Sequence, residues 1–324
     1  MRRLTAVLAG ALLLLGTSLV AGCADKSDKS AESAGASGAA EEPLRVGYQR
    51  FGGLSLVKAR KAEASGTTWN LFESGPALTE GIKAGAVDIG QVGEAPPIFA
   101  AAGKIDFKII ATSAPVPKGE AVLVKASKGY TSFKDLRGKK VALNKGSNVN
   151  WLLVRLLEAN GMTIKDIDVQ YLKPADARPA FDNDQVDAWI IWDPYFSLAE
   201  SPGVKVLVDA TGLANNREYL LVSPQALKSK PGKIREFLKT YRQVTDWGIA
   251  NPDERVKILS PELGIPEDVA RRALERSAQP LAAITPEIGA ELQQISDGFT
   301  ELQLIPVKVD IKARVDEQFS DLLR

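Results

Sequence analysis

Val87-Asp88-Ile89-Gly90-Gln91-Val92-Gly93-Glu94-Ala95-Pro96 decides the reading of this chain, because an altered copy of it, Val186-Asp187-Ala188-Trp189-Ile190-Ile191-Trp192-Asp193-Pro194, lies further along. In each segment a short apolar run follows a valine-aspartate pair, and a second acid falls seven positions after the valine with proline close behind. A helix-like stretch feeds each run. The run reads as a strand, the second acid as a helix cap and the proline as part of the first helical turn. The starts match as well. Arg45-Val46-Gly47-Tyr48-Gln49 and Lys140-Val141-Ala142-Leu143-Asn144-Lys145-Gly146-Ser147 each give a strand, a polar turn and a helix. Two lobes of similar architecture follow, roughly 44–120 and 121–216.

Outward from these segments, short β-branched runs alternate with helical patterns, the mark of an α/β protein built from βα units around mostly parallel sheets. Expected strands are Leu44–Tyr48, Thr68–Phe72, Val87–Gly90, Lys108–Thr112, Ala121–Val124, Lys140–Leu143, Asp168–Leu172, Ala188–Ile191, Val204–Val208 and Tyr219–Val222. From Pro231 onward the pattern changes to helix. Ile234, Phe237, Leu238, Tyr241 and Val244 form one apolar stripe, and Ile288, Leu292, Ile295, Phe299 and Leu302 form another. Both stripes are assigned to the core. Arg235, Glu236, Lys239 and Glu291 on the same helices are expected on solvated faces.

Composition removes whole classes of function. With 45% apolar and 25% charged residues, the 324-residue chain can bury real cores and is too apolar to be disordered. Lysine and arginine number 41 against 40 aspartates and glutamates, which leaves no basic footprint for nucleic acid. There is no histidine, so Ser-His-Asp, Cys-His and histidine-metal chemistry are excluded. A single cysteine allows neither an intramolecular disulfide nor a thiolate cluster for metal. No cofactor or metal is expected, and no acid, base and nucleophile fall into a set that would mark an enzyme.

Arg2 and Arg3 precede an apolar run from Leu4 to Val20, the pattern of a secretory signal. The run ends in Leu19-Val20-Ala21-Gly22-Cys23, like a bacterial lipoprotein signal. Residues 1–22 are therefore expected to be removed, with Cys23 lipidated. Residues 23–43, rich in alanine, serine, glycine and charge, read as a flexible tether. Cleavage before Cys23 removes two arginines and no acids, leaving 39 cations against 40 anions. The exported part is nearly neutral and is expected to act as a monomer.

Ligands of open α/β sheets bind beyond the carboxyl ends of strands, where helix-start amides point outward. Lys145-Gly146-Ser147-Asn148 is the strongest such turn: glycine lets the backbone curl, Ser147 brings a hydroxyl, and the amides of Asn148 and Asn150 are candidates for an anion nest. Gln49, Gly52, Gly53 and Ser55 form a second polar turn. Gly93 offers a backbone amide, and the Glu94 side chain is expected to cap its own helix. Trp192 and Tyr195 flank Asp193 as a candidate stacking wall. Arg178, in Pro174-Ala175-Asp176-Ala177-Arg178, either reaches an anion or pairs with Asp176 or Asp182. No Walker loop is present, which disfavours nucleotides.

Taken together, Leu44 to Gln49, Val87 to Gly90 with Gly93-Glu94-Ala95-Pro96-Pro97-Ile98-Phe99-Ala100, Lys145-Gly146-Ser147, Pro174 to Arg178 and Val186 to Trp189 with Ile191-Trp192-Asp193-Pro194-Tyr195 resemble the aliphatic sulfonate binding proteins of ABC importers. The resemblance runs from about residue 44 to Val309-Asp310-Ile311. It implies a two-lobed periplasmic binding protein fold of type II, two doubly wound lobes joined by two hinge crossovers, with the second near Asn215 to Glu218 and residues 217–324 returning to the first lobe. It further implies ligand contacts from Gln49, Gly93, Glu94, Ser147, Asn148, Asp176, Ala177, Trp192 and Asp193, with Gly53 and Ser55 as further candidates. Glu94 stands where the family usually has aspartate, and Asn148 where a second serine is common. Arg217-Glu218 occupies the second crossover, where Arg217 is expected to bring a cation into the cleft.

The implied role is capture of a small organosulfonate in the cleft and its delivery to an ABC permease with its ATPase subunits, part of sulfur metabolism. Lipid at Cys23 would hold the protein at the extracytoplasmic face of the membrane. Same-fold binders of taurine, nitrate or a thiamine pyrimidine precursor are the alternatives in the same class; an amine-bearing ligand would need Asp193 or Glu94. A same-fold biosynthetic enzyme and a surface protein without ligand are rivals from other classes. Export and the absence of histidine disfavour the enzyme.

Overall fold

Two sheets carry the fold, and each mixes parallel with antiparallel strands. The computed structural model describes residues 42–50, 52–62, 66–277 and 280–324. The signal, Cys23, Phe51 and all but the last two residues of the tether lie outside the described residues. The elements in order are β1 Leu44–Gln49, α1 Leu54–Ala59, β2 Thr67–Phe72, α2 Gly75–Lys83, β3 Ile89–Gly93, α3 Pro96–Ala102, β4 Lys108–Ser113, β5 Glu120–Lys125, β6 Lys140–Leu143, α4 Asn148–Ala159, β7 Asp168–Tyr171, α5 Pro174–Asp182, β8 Ala188–Trp192, α6 Tyr195–Ala199, β9 Val204–Asp209, β10 Glu218–Val222, α7 Pro224–Ser229, α8 Pro231–Ala250, α9 Pro252–Leu263, α10 Glu267–Glu275, β11 Leu281–Ala282 and α11 Pro286–Glu301. All ten expected strands are present, nine of them to within one residue at either end. The short β11 gives no readable alternation and was not expected.

The first sheet has the order β11-β4-β10-β3-β1-β2 and the second β7-β6-β8-β5-β9. Strand β1 pairs in parallel with β2 and β3, and β6 with β7 and β8. Strand β10, however, runs antiparallel between β3 and β4, and β5 antiparallel between β8 and β9. The sheets are mixed rather than mostly parallel. The reason is connectivity: β5 and β10 are the strands by which the chain enters one sheet on leaving the other, so no βα crossover within a sheet sets their direction.

The repeated valine-aspartate pair has a shared structural cause. The Asp88 N–H donates to the Arg45 carbonyl at 2.8 Å, and the Arg45 N–H donates to Asp88 Oδ2 at 2.9 Å. In the other lobe the Asp187 N–H donates to the Lys140 carbonyl at 2.8 Å and the Lys140 N–H to Asp187 Oδ2 at 3.0 Å. Each aspartate thus staples the start of its lobe's first central strand to the approach of the next. Asp88 is also gripped by Lys230 Nζ at 2.8 Å and by the Arg45 guanidinium. Burial pushes its carboxyl up, yet the Arg45 and Lys230 hydrogen bonds outweigh that and hold it below the ordinary range.

The α8 stripe, Ile234, Phe237, Leu238, Tyr241 and Val244, is buried against β1 and β10 together with α1, α9 and α10. A second core runs without a break from α2, α3 and α11 of the first lobe to α4 of the second, where Trp151 meets Phe299 edge-on at 5.8 Å. In α11, Leu292, Ile295 and Phe299 are buried, whereas Ile288 and Leu302 are partly exposed at its two ends. Glu236 and Lys239 are solvated. Arg235 pairs with Asp321 at 2.6 Å, and Glu291 is not on a solvated face, because it binds Arg217. Among the described residues no helix is long and apolar enough to cross a membrane.

Candidate functional site

The carboxyl ends of β3 and β8 face each other across the junction of the lobes, with both crossovers behind them. Between them lies a cavity of about 80 Å³, lined on one side by Gly75, Gly93 and Pro96 and on the other by Ser147, Asn148, Trp192 and Asp193. The crossovers add Val116, Gly119, Asn216 and Glu218, and the C-terminal helices add Arg255, Arg276 and Ser277. A wider cavity of about 560 Å³ continues outward past Gln49, Arg50, Trp192, Tyr195 and Leu263.

Glycine at position 93 is what allows the lobes to approach. A Cβ there would sit 1.7 Å from Asn148 Oδ1. Asn148 in turn donates through Nδ2 to Asn216 Oδ1 at 2.7 Å, and Asn216 donates to the Val116 carbonyl at 3.1 Å, so helix α4 is tied to both crossovers. Gly146, in the left-handed region at φ 75°, turns the chain into α4, and Ser147 is the N-cap. The Ser147 hydroxyl is already used, donating to the Asn144 carbonyl at 2.7 Å, and the Asn150 N–H donates to the Ser147 carbonyl at 3.0 Å. The donors left at this end are the first-turn amides of Asn148 and Val149, which have no acceptor within their helix.

Several expected contacts are arranged otherwise. Gln49 lines the cavity and donates to the Gln91 carbonyl at 3.1 Å, and Gly53 lines it too. Ser55 is turned away, its hydroxyl donating to the carbonyls of Gln49 and Arg50. Asp176 and Ala177 are not in the cavity wall. Their N–H groups both donate to the Lys173 carbonyl, at 3.0 and 2.8 Å, and Ala177 is packed into the core behind β8. Glu94 is fully buried behind the cavity and does not cap α3; it accepts the Arg217 N–H at 3.2 Å. Arg217 does not reach the cleft either, because its guanidinium is held by Glu291 at 3.2 Å and the Ser113 carbonyl at 2.8 Å. Arg178 takes the pairing alternative, with Asp182 at 2.6 Å.

Asp193 apart, the charges around the cavity come from residues not singled out as site candidates by the sequence. Arg276 binds Asp193 at 2.8 Å and Glu200 at 3.0 Å and lies over the Phe196 ring at 3.8 Å. Asp193 also accepts the Ser197 N–H at 3.0 Å, which caps the turn into α6. Burial pushes the Asp193 carboxyl up in spite of Arg276. Arg255 donates to the Ser277 carbonyl at 3.2 Å. Glu218 accepts the Gly53 N–H, and burial pushes its carboxyl up to about 7 against the opposing pull of that bond and of Arg255. Trp192 and Tyr195 meet edge-on at 6.0 Å and wall the mouth. Among the described residues no group of three or more carboxylates or thiols could hold a metal ion.

Residues 73–255 match the NMT1/THI5 like family model. The chain belongs to that family. An aliphatic sulfonates-binding protein of Escherichia coli (strain K12) is 35% identical over 289 residues, 86% of this chain and 90% of that protein, and one of Bacillus subtilis (strain 168) is 30% identical over 88% and 90%. Among solved structures of this fold, the alkanesulfonate-binding protein from Xanthomonas axonopodis pv. citri bound to MOPS superposes with a TM-score of 0.82 at 31% identity, covering 86% of this chain and all of that one. The two-lobed periplasmic binding protein fold is thereby shown. A desulfurization enzyme also shares the fold, at 14% identity and a TM-score of 0.63.

Proposed function

We propose that this protein is an extracytoplasmic solute-binding lipoprotein that captures a small organosulfonate between its lobes and delivers it to an ABC importer. The observation that carries the reading is the start of α4 set into the wall of an interlobe cavity, in a chain similar over nearly its whole described length to sulfonate-binding proteins. A sulfonate is anionic at neutral pH and presents three acceptor oxygens. The amides of Asn148 and Val149 can meet it without a lysine, aided by the helix dipole. Gln49, Gly93, Ser147, Trp192 and Asp193 contribute shape rather than free donors: Gly93 admits Asn148, Ser147 sets the turn, and Trp192 covers the organic part of the ligand.

A binding protein rather than an enzyme fits this wall. Asp193 is tied to Arg276, and among the described residues no nucleophile faces the cavity with a base beside it. The same pairing leaves Asp193 unable to hold an amine, and Glu94 is behind the wall. Residues 1–22 act as the export signal, Cys23 as the lipid anchor and residues 24–43 as the tether. Lobe 1 comprises 44–120 with 217–324, and lobe 2 comprises 121–216. Calorimetric titration with ethanesulfonate, taurine, sulfate and nitrate tests the reading. Micromolar or tighter binding of the sulfonate with weaker binding of the others is expected; a preference for nitrate or taurine would keep the fold and overturn the ligand.

A further inference from the structure

The cavity faces two sources of positive potential, and only one of them is spent. Arg276 is neutralised by Asp193 and Glu200. Arg255, from α9, has no ion pair among the described residues. Its Nη2 reaches the carbonyl and hydroxyl of Ser277 at 3.2 and 3.3 Å, its Nη1 the Leu274 carbonyl at 3.4 Å, and its Nε is buried with no partner at all. Glu218 lines the same cavity without pairing with Arg255, and its own burial keeps much of its population protonated near neutral pH. Arg255 is half-buried with Glu218 as an opposite charge nearby but not in contact, and burial of a guanidinium with an N–H left unmet is costly. The anion-directed start of α4 borders the same cavity.

We propose that Arg255 is a specificity residue that receives a second acceptor group on the ligand, so that the site selects a short sulfonate carrying a carboxylate or a second sulfonate over a plain alkanesulfonate. The proposal rests on the sulfonate reading above: α4 holds the sulfonate and Arg255 the far end. A cavity of about 80 Å³ allows only a few bonds between the two groups. The planar, multiply donating guanidinium of arginine suits a carboxylate or sulfonate edge. On the other side of Arg255 a narrow apolar pocket of about 50 Å³, walled by Leu56, Leu259 and Leu263, offers the rival destination for a purely hydrocarbon tail.

The test is calorimetry of the purified protein with propane-1-sulfonate, hexane-1-sulfonate, 3-sulfopropanoate and propane-1,3-disulfonate. The bifunctional ligands are expected to bind about ten-fold or more tightly than propane-1-sulfonate, since one charge-assisted contact is worth about that factor. In Arg255→Met the ratio between 3-sulfopropanoate and propane-1-sulfonate is expected to fall to about one, while Arg255→Lys keeps part of it because the charge stays and the fork is lost. Thermal melting checks that each variant is folded; if the methionine variant is not, the wild-type ratio and the lysine variant decide. Equal affinities for mono- and bifunctional ligands, affinity that grows with alkyl length instead, or a loss in Arg255→Met that is the same for both ligands would overturn the proposal and leave the sulfonate reading standing. Silence toward every sulfonate would overturn both.

Discussion

Glu94 and Asp193 occupy the same place in the two halves of the repeat, the first residue beyond a central strand, and the structure uses them in opposite ways. Asp193 faces the cleft, is matched by Arg276 and caps the turn into α6. Glu94 is sealed behind the cleft with one oxygen unpartnered, near Glu120, whose carboxylate oxygens are both buried and unpartnered. Burial pushes Glu94 up to about 8, with smaller contributions from Glu291 and against the Arg217 N–H, and it pushes Glu120 up strongly as well. The residues just before these acids differ in the same sense, Gly93 admitting the other lobe and Trp192 walling the mouth. One strand-end pattern therefore yields a hinge-side acid in one lobe and a cleft-side acid in the other, and what packs against the strand end decides which.

The staples are where the halves agree in geometry and differ in burial, and the largest effect is expected there. Asp88 and Lys230 side chains are 2% and 6% exposed, so Asp88→Asn should cost about 3–5 kcal/mol by leaving Lys230 and Arg45 without their counter-charge. Asp187→Asn loses hydrogen bonds from Lys140 and Tyr130 only and should cost about 1 kcal/mol. Urea denaturation of both variants measures the difference, and equal costs would mean that the burial of Asp88 does not matter.

Next comes the pH response of the hinge-side acid. A carboxyl raised from 4.5 unfolded to about 8 folded holds its proton in the native state, so its favourable contribution is complete below pH 4.5 and is lost as pH rises toward 8. Stability followed from pH 5 to 8 should fall in the wild type and fall less steeply in Glu94→Gln; Asp193→Asn should not flatten it in the same way. Glu218 gives the matching response in binding. With Gly53, Arg255 and Tyr241 around it, it ionises at about 7, so affinity for an anion should decline roughly several-fold from pH 6 to 8 and become flat in Glu218→Gln. Calorimetry at the two pH values reads this directly.

Smaller effects should come from the interlobe contacts. Gly93→Ala displaces the Asn148 side chain from Asn216 and should weaken ligand binding by about 1 kcal/mol, without the larger stability loss expected of Asp88→Asn. At the cleft mouth Lys173 and Glu73 bridge the lobes at 2.6 Å with both side chains largely exposed. A double-mutant cycle on that pair should return about 0.5 kcal/mol or less, diminishing with salt.

The strands, the α8 stripe and the two-lobe repeat were legible because alternation, helical spacing and the valine-aspartate staple are local patterns imposed by the backbone. The direction of β5 and β10 was not legible, since residues within a strand carry no mark of which lobe the chain has just left. Of the site, the α4 turn, Gln49, Gly53, Gly93 and Trp192 could be found because strand-end glycine turns have a local signature. Asp176 and Ala177 fit the pattern and still miss the cavity, as their amides are consumed within their own turn. Arg217 and Glu291, read as a cleft cation and a solvated acid, find each other across the crossover instead.

Sequence by itself determined the class of fold, the exclusion of histidine chemistry and the position of the glycine turn that starts α4, because each depends on residue type or on neighbours within one turn or strand. Only the tertiary structure decided the electrostatics of the cavity. Arg276 meets Asp193 across 83 positions of chain while Arg255, one helix earlier, meets no acid among the described residues, and whether a charge is spent or free depends on which opposite charge the packing brings within about 4 Å of it.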